Sequence, residues 1–368
     1  MTKQTASIIG YCAICILIGS CFGQSNADNS EIVERDSEEE ISLAFKRGVI
    51  SIYQDSNNNL WIGSKEEGVC KYDGQSYTYF TTDDGLADNF VREIQEDHEG
   101  KIWFSTGQGY CYFDGQNFTT LSVSEELDYI MNSDYDHPNR PSDWELKLED
   151  IWFPIHRDGI LRYRSGQLDY LAVPIPESDR DYQEDRIREP YFFPYSPVTI
   201  FRDKQENLLI GTFNRGVIIY DGKEFEFHNP DNFGVGTVRG LFQDDKGDYW
   251  FGSNGGGLYQ YDGENYRNLA LEQQQTRSQI ENAAANMLSR VWSIGQDIEG
   301  NMWFGTAESG LWKYDGHELT NYTMEDGLPS NFVETIYRDR TGKMWFCSGM
   351  NSNGKLYTYD GGSFEIID

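Results

Sequence analysis

Positive charge is scarce in this chain of 368 residues: 30 Lys and Arg stand against 61 Asp and Glu, a formal net charge of −31. A phosphate backbone needs basic surface, so the charge opposes a nucleic-acid role and no nucleic-acid partner is expected. The acidic surface favours solubility and cationic partners instead. Cysteine is also sparse, with six in all, and no CxxC or Cys/His spacing suggests zinc. Five scattered histidines form no paired motif, and no nucleotide-binding or other cofactor motif is present. Helical periodicity is nearly absent. The one long apolar run, Ser7 to Ile18, is too short for a stable transmembrane span.

Aromatics and glycine are abundant, with 9 Trp, 24 Tyr, 21 Phe and 37 Gly. Many short aromatic strands cut by glycine turns predict an all-β protein. The amino end reads as an export signal: Lys3, the apolar run, then Gly19-Ser20-Cys21. Ile18-Gly19-Ser20-Cys21 resembles the lipobox of bacterial lipoproteins, although Leu17 sits one place early. That resemblance implies lipidation at Cys21, and Phe22 rather than Asp after it implies the outer membrane or cell surface of a Gram-negative bacterium. A plain signal cut nearby, giving a periplasmic or secreted chain, is the alternative. The expected organisation is a signal over 1–20, an acidic flexible tether over 21–45 ("NADNSEIVERDSEEE"), and one folded domain over 46–368. Membrane attachment is expected through the lipid alone. Cys70, Cys111 and Cys347 remain in the folded part, and separate buried thiols are expected rather than a bridge.

Internal repetition decides the fold. The unit is Val-x-x-Ile-x-x-Asp, a turn, apolar-Trp-aromatic-Gly-Thr, a glycine loop, and a strand ending Tyr-Asp-Gly. Its copies begin at Val49, Val91, Val198, Val238, Val291 and Val333. A degraded third copy keeps Trp152 and Gly159, places Leu146 six before the Trp, and has Arg164-Ser165-Gly166 for the Asp-Gly pair. Four strands in about 42 residues, repeated seven times, predict a seven-bladed β-propeller of four-stranded blades. The lead Val and Ile, three apart, are expected on opposite buried faces, with the Trp filling the space between blades. Asp55, Asp97, Asp203, Asp244, Asp297 and Asp339 read as caps of tight turns. Calcium is the alternative for oxygen-rich turns such as "DSNNN", but the downstream glutamate of a calcium loop is missing, so no metal is expected.

Written out, Asp-x-x-Gly-x-apolar-Trp-Phe-Gly-Thr … Gly-Leu-x-x-Tyr-Asp-Gly resembles the two-component regulator propeller repeat. The connectors "DGLADNFV" (84–91) and "DGLPSNFV" (326–333) match it too, and the resemblance covers residues 49 to 368. It implies a sensing or binding propeller, in that family usually the periplasmic part of a hybrid histidine kinase. No kinase part, DNA-binding segment or transmembrane helix after the propeller is found here. Ligand binding, or docking to a membrane signalling protein, is what carries over.

Two loop sets share one face of such a ring. Loops between second and third strands supply Gln108, His156, Arg157, Asn214, Arg215, Asn254, Glu308 and Asn351. Residues following the lead Val supply Arg92, Arg239, Trp292 and Glu334. Arg, Asn and Trp around an opening suit a glycan or other polar ligand, such as a sugar acid. Three connections are long, and "LEQQQTRSQIENAAANMLSR" (271–290) predicts a short helix. "EEISLAF" (39–45) is a candidate extra edge strand. His156 is the one weak catalytic candidate. Three readings follow: a non-catalytic binding propeller, a lyase or hydrolase acting on an extracytoplasmic polysaccharide, and an assembly scaffold. Catalytic groups converging on the mouth would favour the second.

Overall fold

A computed structural model describes residues 45, 48–121, 144–155, 159–182, 193–230, 236–272, 288, 290–348 and 354–367. Seven antiparallel sheets form a seven-bladed β-propeller. Blade 1 holds Val49–Gln54, Leu60–Ser64, Val69–Tyr72 and Tyr77–Phe80, paired in chain order, and blades 2 and 4 to 7 repeat this. Blade 3 shows three strands among the described residues: Ile151–Pro154, Gly159–Arg164 and Gln167–Ala172. The long connection after Gln167–Ala172 joins the outer strand of blade 3 to the inner strand of blade 4. No helix among the described residues is long and apolar enough to cross a membrane.

Seven hydrophobic clusters fill the seven seams, each led by the Trp position of one blade. Trp61 packs with Val91, Ile94 and Phe104 of blade 2, and Trp103 with Ile151, Phe153 and Leu161 of blade 3. Trp152, Trp250 and Trp303 do the same toward blades 4, 6 and 7. In blade 4 Leu209 takes the place and packs on Val238 and Leu241. Trp345 closes the set against Val49 and Ile52 of blade 1. Most of the stability of such a ring lies in these interfaces, because no blade can bury both faces alone.

Among the described residues the ring closes without strand exchange. Thr335 Oγ1 donates to Ile50 O at 2.6 Å, Tyr337 Oη accepts from Gln54 N at 2.9 Å, and Arg340 N donates to Gln54 Oε1 at 2.8 Å. These repeat contacts used elsewhere in the ring. Ser51 Oγ donates to Val91 O at 3.1 Å, and Gln243 and Gln296 accept from turn amides of the preceding blades. The glycine after Trp-Phe serves the same seam. A Cβ at Gly305 would collide with Ser293 Oγ and lie 2.6 Å from Val333 O of the next blade. Phe45 packs on Tyr79 at 5.3 Å; the rest of the candidate edge strand lies outside the described residues.

Two expectations are corrected by one feature, a β-bulge that begins six of the inner strands. Val91 pairs Thr106, but the next partners are Glu93 with Ser105 and Ile94 with Phe104. One extra residue is inserted, so residues three apart in sequence lie opposite partners two apart. The lead Val and Ile therefore share a face and a cluster instead of facing opposite sides. In blade 4 the lead position is Pro197, which pairs Thr212, and not Val198. Pro197 stands six before Asp203, the spacing that the other copies keep.

The aspartates are turn caps. Asp97 Oδ1 accepts from the amides of Glu99 and Lys101, both at 2.9 Å, and Oδ2 accepts from Trp103 Nε1 at 2.8 Å. The link to the Trp indole recurs at Asp55, Asp244, Asp297 and Asp339. In blade 4, where Leu209 has no N–H, Tyr249 of blade 5 donates its hydroxyl to Asp203 Oδ2 at 2.7 Å. In blade 3 no Asp stands six before Trp152. Its buried indole N–H lacks an acceptor among the described residues, while Arg164 binds Asp150 through Nε and Nη2. Cys70, Cys111 and Cys347 are separate buried thiols. Burial pushes the Cys111 thiol up to about 11.

Candidate functional site at the channel mouth

The bulges position the site. A bulged residue leaves the ladder, and its side chain is re-aimed. Here the extra residue is Ile50, Arg92, Val198, Arg239, Trp292 or Glu334, and all six line one cavity of about 500 Å³ at the centre of the ring. Phe90, Glu93, Thr199 and Thr335 complete its described lining.

Its aromatics hold its cations. The Arg239 guanidinium lies 4.1 Å from the centre of the Trp292 ring, and Phe332 meets that ring edge-on at 4.8 Å. Arg92 lies 5.2 Å over Phe90. Phe90 and Phe332 are the phenylalanines of the two "NFV" connectors, so one motif delivers the ring under Arg92 and the other the ring that buttresses Trp292. The connectors are built alike. Thr81 and Thr323 cap short 3₁₀ turns reciprocally with Asp84 and Asp326, and Leu86 and Leu328 are buried.

The electrostatics follow from enclosure. Solvent reaches Arg239, yet the surrounding wall pushes its pKa down, Glu334 pulls it up, and Arg92 adds a further downward push. Burial lifts Glu93 to about 7, against the pull of Arg92. The indole N–H of Trp292 is shut off from solvent and has no acceptor among the described residues. The cavity thus combines two cations, two carboxylates and a buried donor.

The loops between second and third strands behave differently. Their backbone is tied to the residues leading into the inner strands: Gly107 N donates to Phe90 O, Asn254 N to Thr237 O and Ala307 N to Arg290 O. Their side chains are largely engaged in the same structure. Asn254 Oδ1 accepts from Arg290 Nε at 2.7 Å, and Glu308 pairs with the same arginine. Arg215 pairs with Asp179 of the long connection at 3.2 Å, and Asn214 accepts from Gly236 N at 3.3 Å. None of these four lines the cavity, and nor does Gln108, which is exposed. His156, Arg157, Asn351 and Cys21 lie outside the described residues, as does most of the predicted helix, of which 271–272 continue a helical stretch that begins at 269.

Sequence reasoning missed Glu93, although its repeat carried a signal. At the same position the other bulged strands have Ser51, Thr199, Gly240, Ser293 and Thr335, small residues that fit the tight seam. A glutamate there is the one charged exception. No histidine lines the cavity, and no group of three or more potential metal ligands occurs, among the described residues.

Comparison with known proteins agrees with this architecture. The family described as two component regulator propeller matches at residues 45–66, 85–108 and 327–350. A streptogramin B lyase structure is 15% identical over 87% of this chain and 97% of its own, with a TM-score of 0.59. PorZ of Porphyromonas gingivalis, described as a surface component of the type-IX secretion system, is 16% identical over 88% of this chain and 48% of its own, at 0.56. The extracellular domain of a hybrid two component system from B. thetaiotaomicron is 20% identical over 87% of this chain, at 0.47. This chain spans 40% of that one. At such identities the likeness is one of fold. No curated protein sequence matches.

Proposed function

The chain is a seven-bladed propeller carrying two component regulator propeller repeats, and we propose that it is an exported sensing or binding protein that holds its ligand at the channel mouth without transforming it. The observation that carries this reading is the lining of the cavity. Six inner strands use the same backbone device to present side chains to one space, and those side chains include two arginines and a tryptophan rather than the small residues that would simply plug a ring. Polar groups converging in a concave site are the usual basis of ligand recognition. The ligand proposed is a glycan fragment or other polar molecule, and the partner that reads the bound state is a membrane signalling protein.

Export and anchoring rest on the amino-terminal sequence, with lipidation at Cys21 the expected form. Metabolic labelling with a fatty-acid analogue would follow it, and label retained in Cys21→Ala would refute it. For the ligand, thermal-shift screening with neutral and acidic oligosaccharides is the direct approach. Turnover of any hit would replace the binding reading with the second one, a lyase or hydrolase. One observation favours that alternative: Glu93, lifted to about 7, is poised for proton transfer near neutral pH. Loss of turnover in Glu93→Gln with binding retained would establish it.

A further inference from the structure

We infer that the channel mouth takes a small hydroxylated carboxylate, a monoanion of sugar-acid size, with Arg239 and Arg92 meeting the carboxylate and the Trp292 N–H donating to a ligand oxygen. This deepens the channel-mouth reading and rests on it.

The first argument is charge. A chain of net charge −31 places two arginines from different blades in one cavity, close enough that Arg92 disfavours the charge on Arg239. Their mutual repulsion favours an anion beside Arg239. Glu334 offsets part of it, and Glu93 is close to half protonated at neutral pH because the wall disfavours its charge. Among the described lining residues the arginines outnumber the ionised carboxylates, which suits a carboxylate ligand. A phosphate monoester would bring about 1.5 to 2 negative charges beside Glu334.

The second argument is unused hydrogen-bonding capacity. Arg239 makes no hydrogen bond or ion pair among the described residues. Apart from the longer-range pull of Glu334, its guanidinium rests on the face of Trp292, so its donor fork stays open to a planar, bidentate acceptor. The Trp292 N–H is likewise without an acceptor, and buried donors are normally satisfied. Both groups ask for ligand oxygens. The carboxylates in the same wall only accept when ionised, so they select hydroxyl donors on the body of the ligand. The cavity, about 500 Å³, has room for a single sugar-sized body.

Titration calorimetry on the full chain, at mildly acidic pH and low salt, tests this with D-glucuronate, D-glucose and glucose 6-phosphate. Glucuronate should bind at least tenfold more tightly than either other probe. Arg239→Gln, at a solvent-reached position, should cost glucuronate at least tenfold while leaving the thermal midpoint unchanged, and Arg92→Gln should act in the same direction. Glucose binding as tightly as glucuronate, with both weakened by Trp292→Ala, would overturn the carboxylate while keeping the site. Glucose 6-phosphate binding tightest would overturn the charge argument, and binding of none of the three would overturn the inference. The channel-mouth reading itself falls only if a sugar that binds ignores the changes at Arg92, Arg239 and Trp292 alike.

Discussion

Replacing Asp55 with alanine should be among the most damaging single changes at a turn of this molecule. The Asp55 Oδ1 accepts from the amides of Asn57 and Asn59 at 3.0 and 2.8 Å. Its Oδ2 accepts from Asn59 Nδ2 at 2.7 Å and from Trp61 Nε1 at 2.8 Å. Trp61 is 1% exposed and sits in the seam with blade 2, so water cannot replace the lost acceptor there. A stranded buried donor costs about 1–3 kcal/mol, and each turn amide adds up to about 1 kcal/mol. The expected loss is therefore about 2–5 kcal/mol. Asp73 provides the control. It also caps two amides, of Gln75 and Ser76 at 2.8 Å, but in a solvent-exposed turn with no indole attached. Its replacement should cost about 1 kcal/mol or less. Urea unfolding of both variants measures the difference. Equal losses would refute the idea that the aspartate acts through the tryptophan. A rise of the wild-type midpoint on adding calcium, absent in Asp55→Ala, would refute the turn-cap account in favour of an ion site.

Three further outcomes are expected. Tyr249→Phe should cost about 1.5–3 kcal/mol, because the Tyr hydroxyl is the donor that serves Asp203 where Leu209 cannot, and a Leu209→Trp change in that background should restore part of the loss; an unchanged urea midpoint for Tyr249→Phe would count against it. Thr335→Val should loosen the closure of blade 7 on blade 1, read as faster hydrogen exchange in Val49–Gln54 with other inner strands unaffected. Glu93→Gln should alter stability in a pH-dependent way. The folded state raises this carboxyl from 4.5 to about 7, so its contribution is fully present below about 4.5 and is lost as pH rises through 7. The shift corresponds to roughly 3 kcal/mol at most, reduced by the solvent in the channel. The glutamine variant should thus melt higher than wild type at pH 8 and no higher at pH 4.5, and parallel melting curves across that range would contradict the assignment.

Much of the architecture was legible because the repeat writes it out several times. The spacing from Asp97 to Trp103 gave the turn and the filler between blades, and the count of copies gave the number of blades. What the pattern hid was the bulge. An inserted residue changes which side chains share a face without changing their type, so Val91 and Ile94 read as opposite when they are neighbours. The same device defines the site. Arg92, Arg239, Trp292 and Glu334 follow the lead residues in sequence and do line the cavity. Asn254, Glu308 and Arg215 looked equivalent to them in the loops between second and third strands, but their partners, Arg290 and Asp179, lie in connections that follow no repeat. Pairings of that kind depend on how irregular segments fold back, which periodicity does not encode. Glu93 was readable in principle, as the one charged residue at a position held by small ones.

The account's central claim is that ligands bind where the bulged residues converge. The most direct measurement is a thermal-shift ligand screen run in parallel on the wild type, Arg239→Gln and Trp292→Phe. The prediction is that a ligand stabilising the wild type loses most of its shift in Arg239→Gln and a part of it in Trp292→Phe, while Asn254→Ala, in a loop between second and third strands, retains it. Full shifts in both cavity variants, with loss in Asn254→Ala, would contradict the claim and move the site to the outer loops.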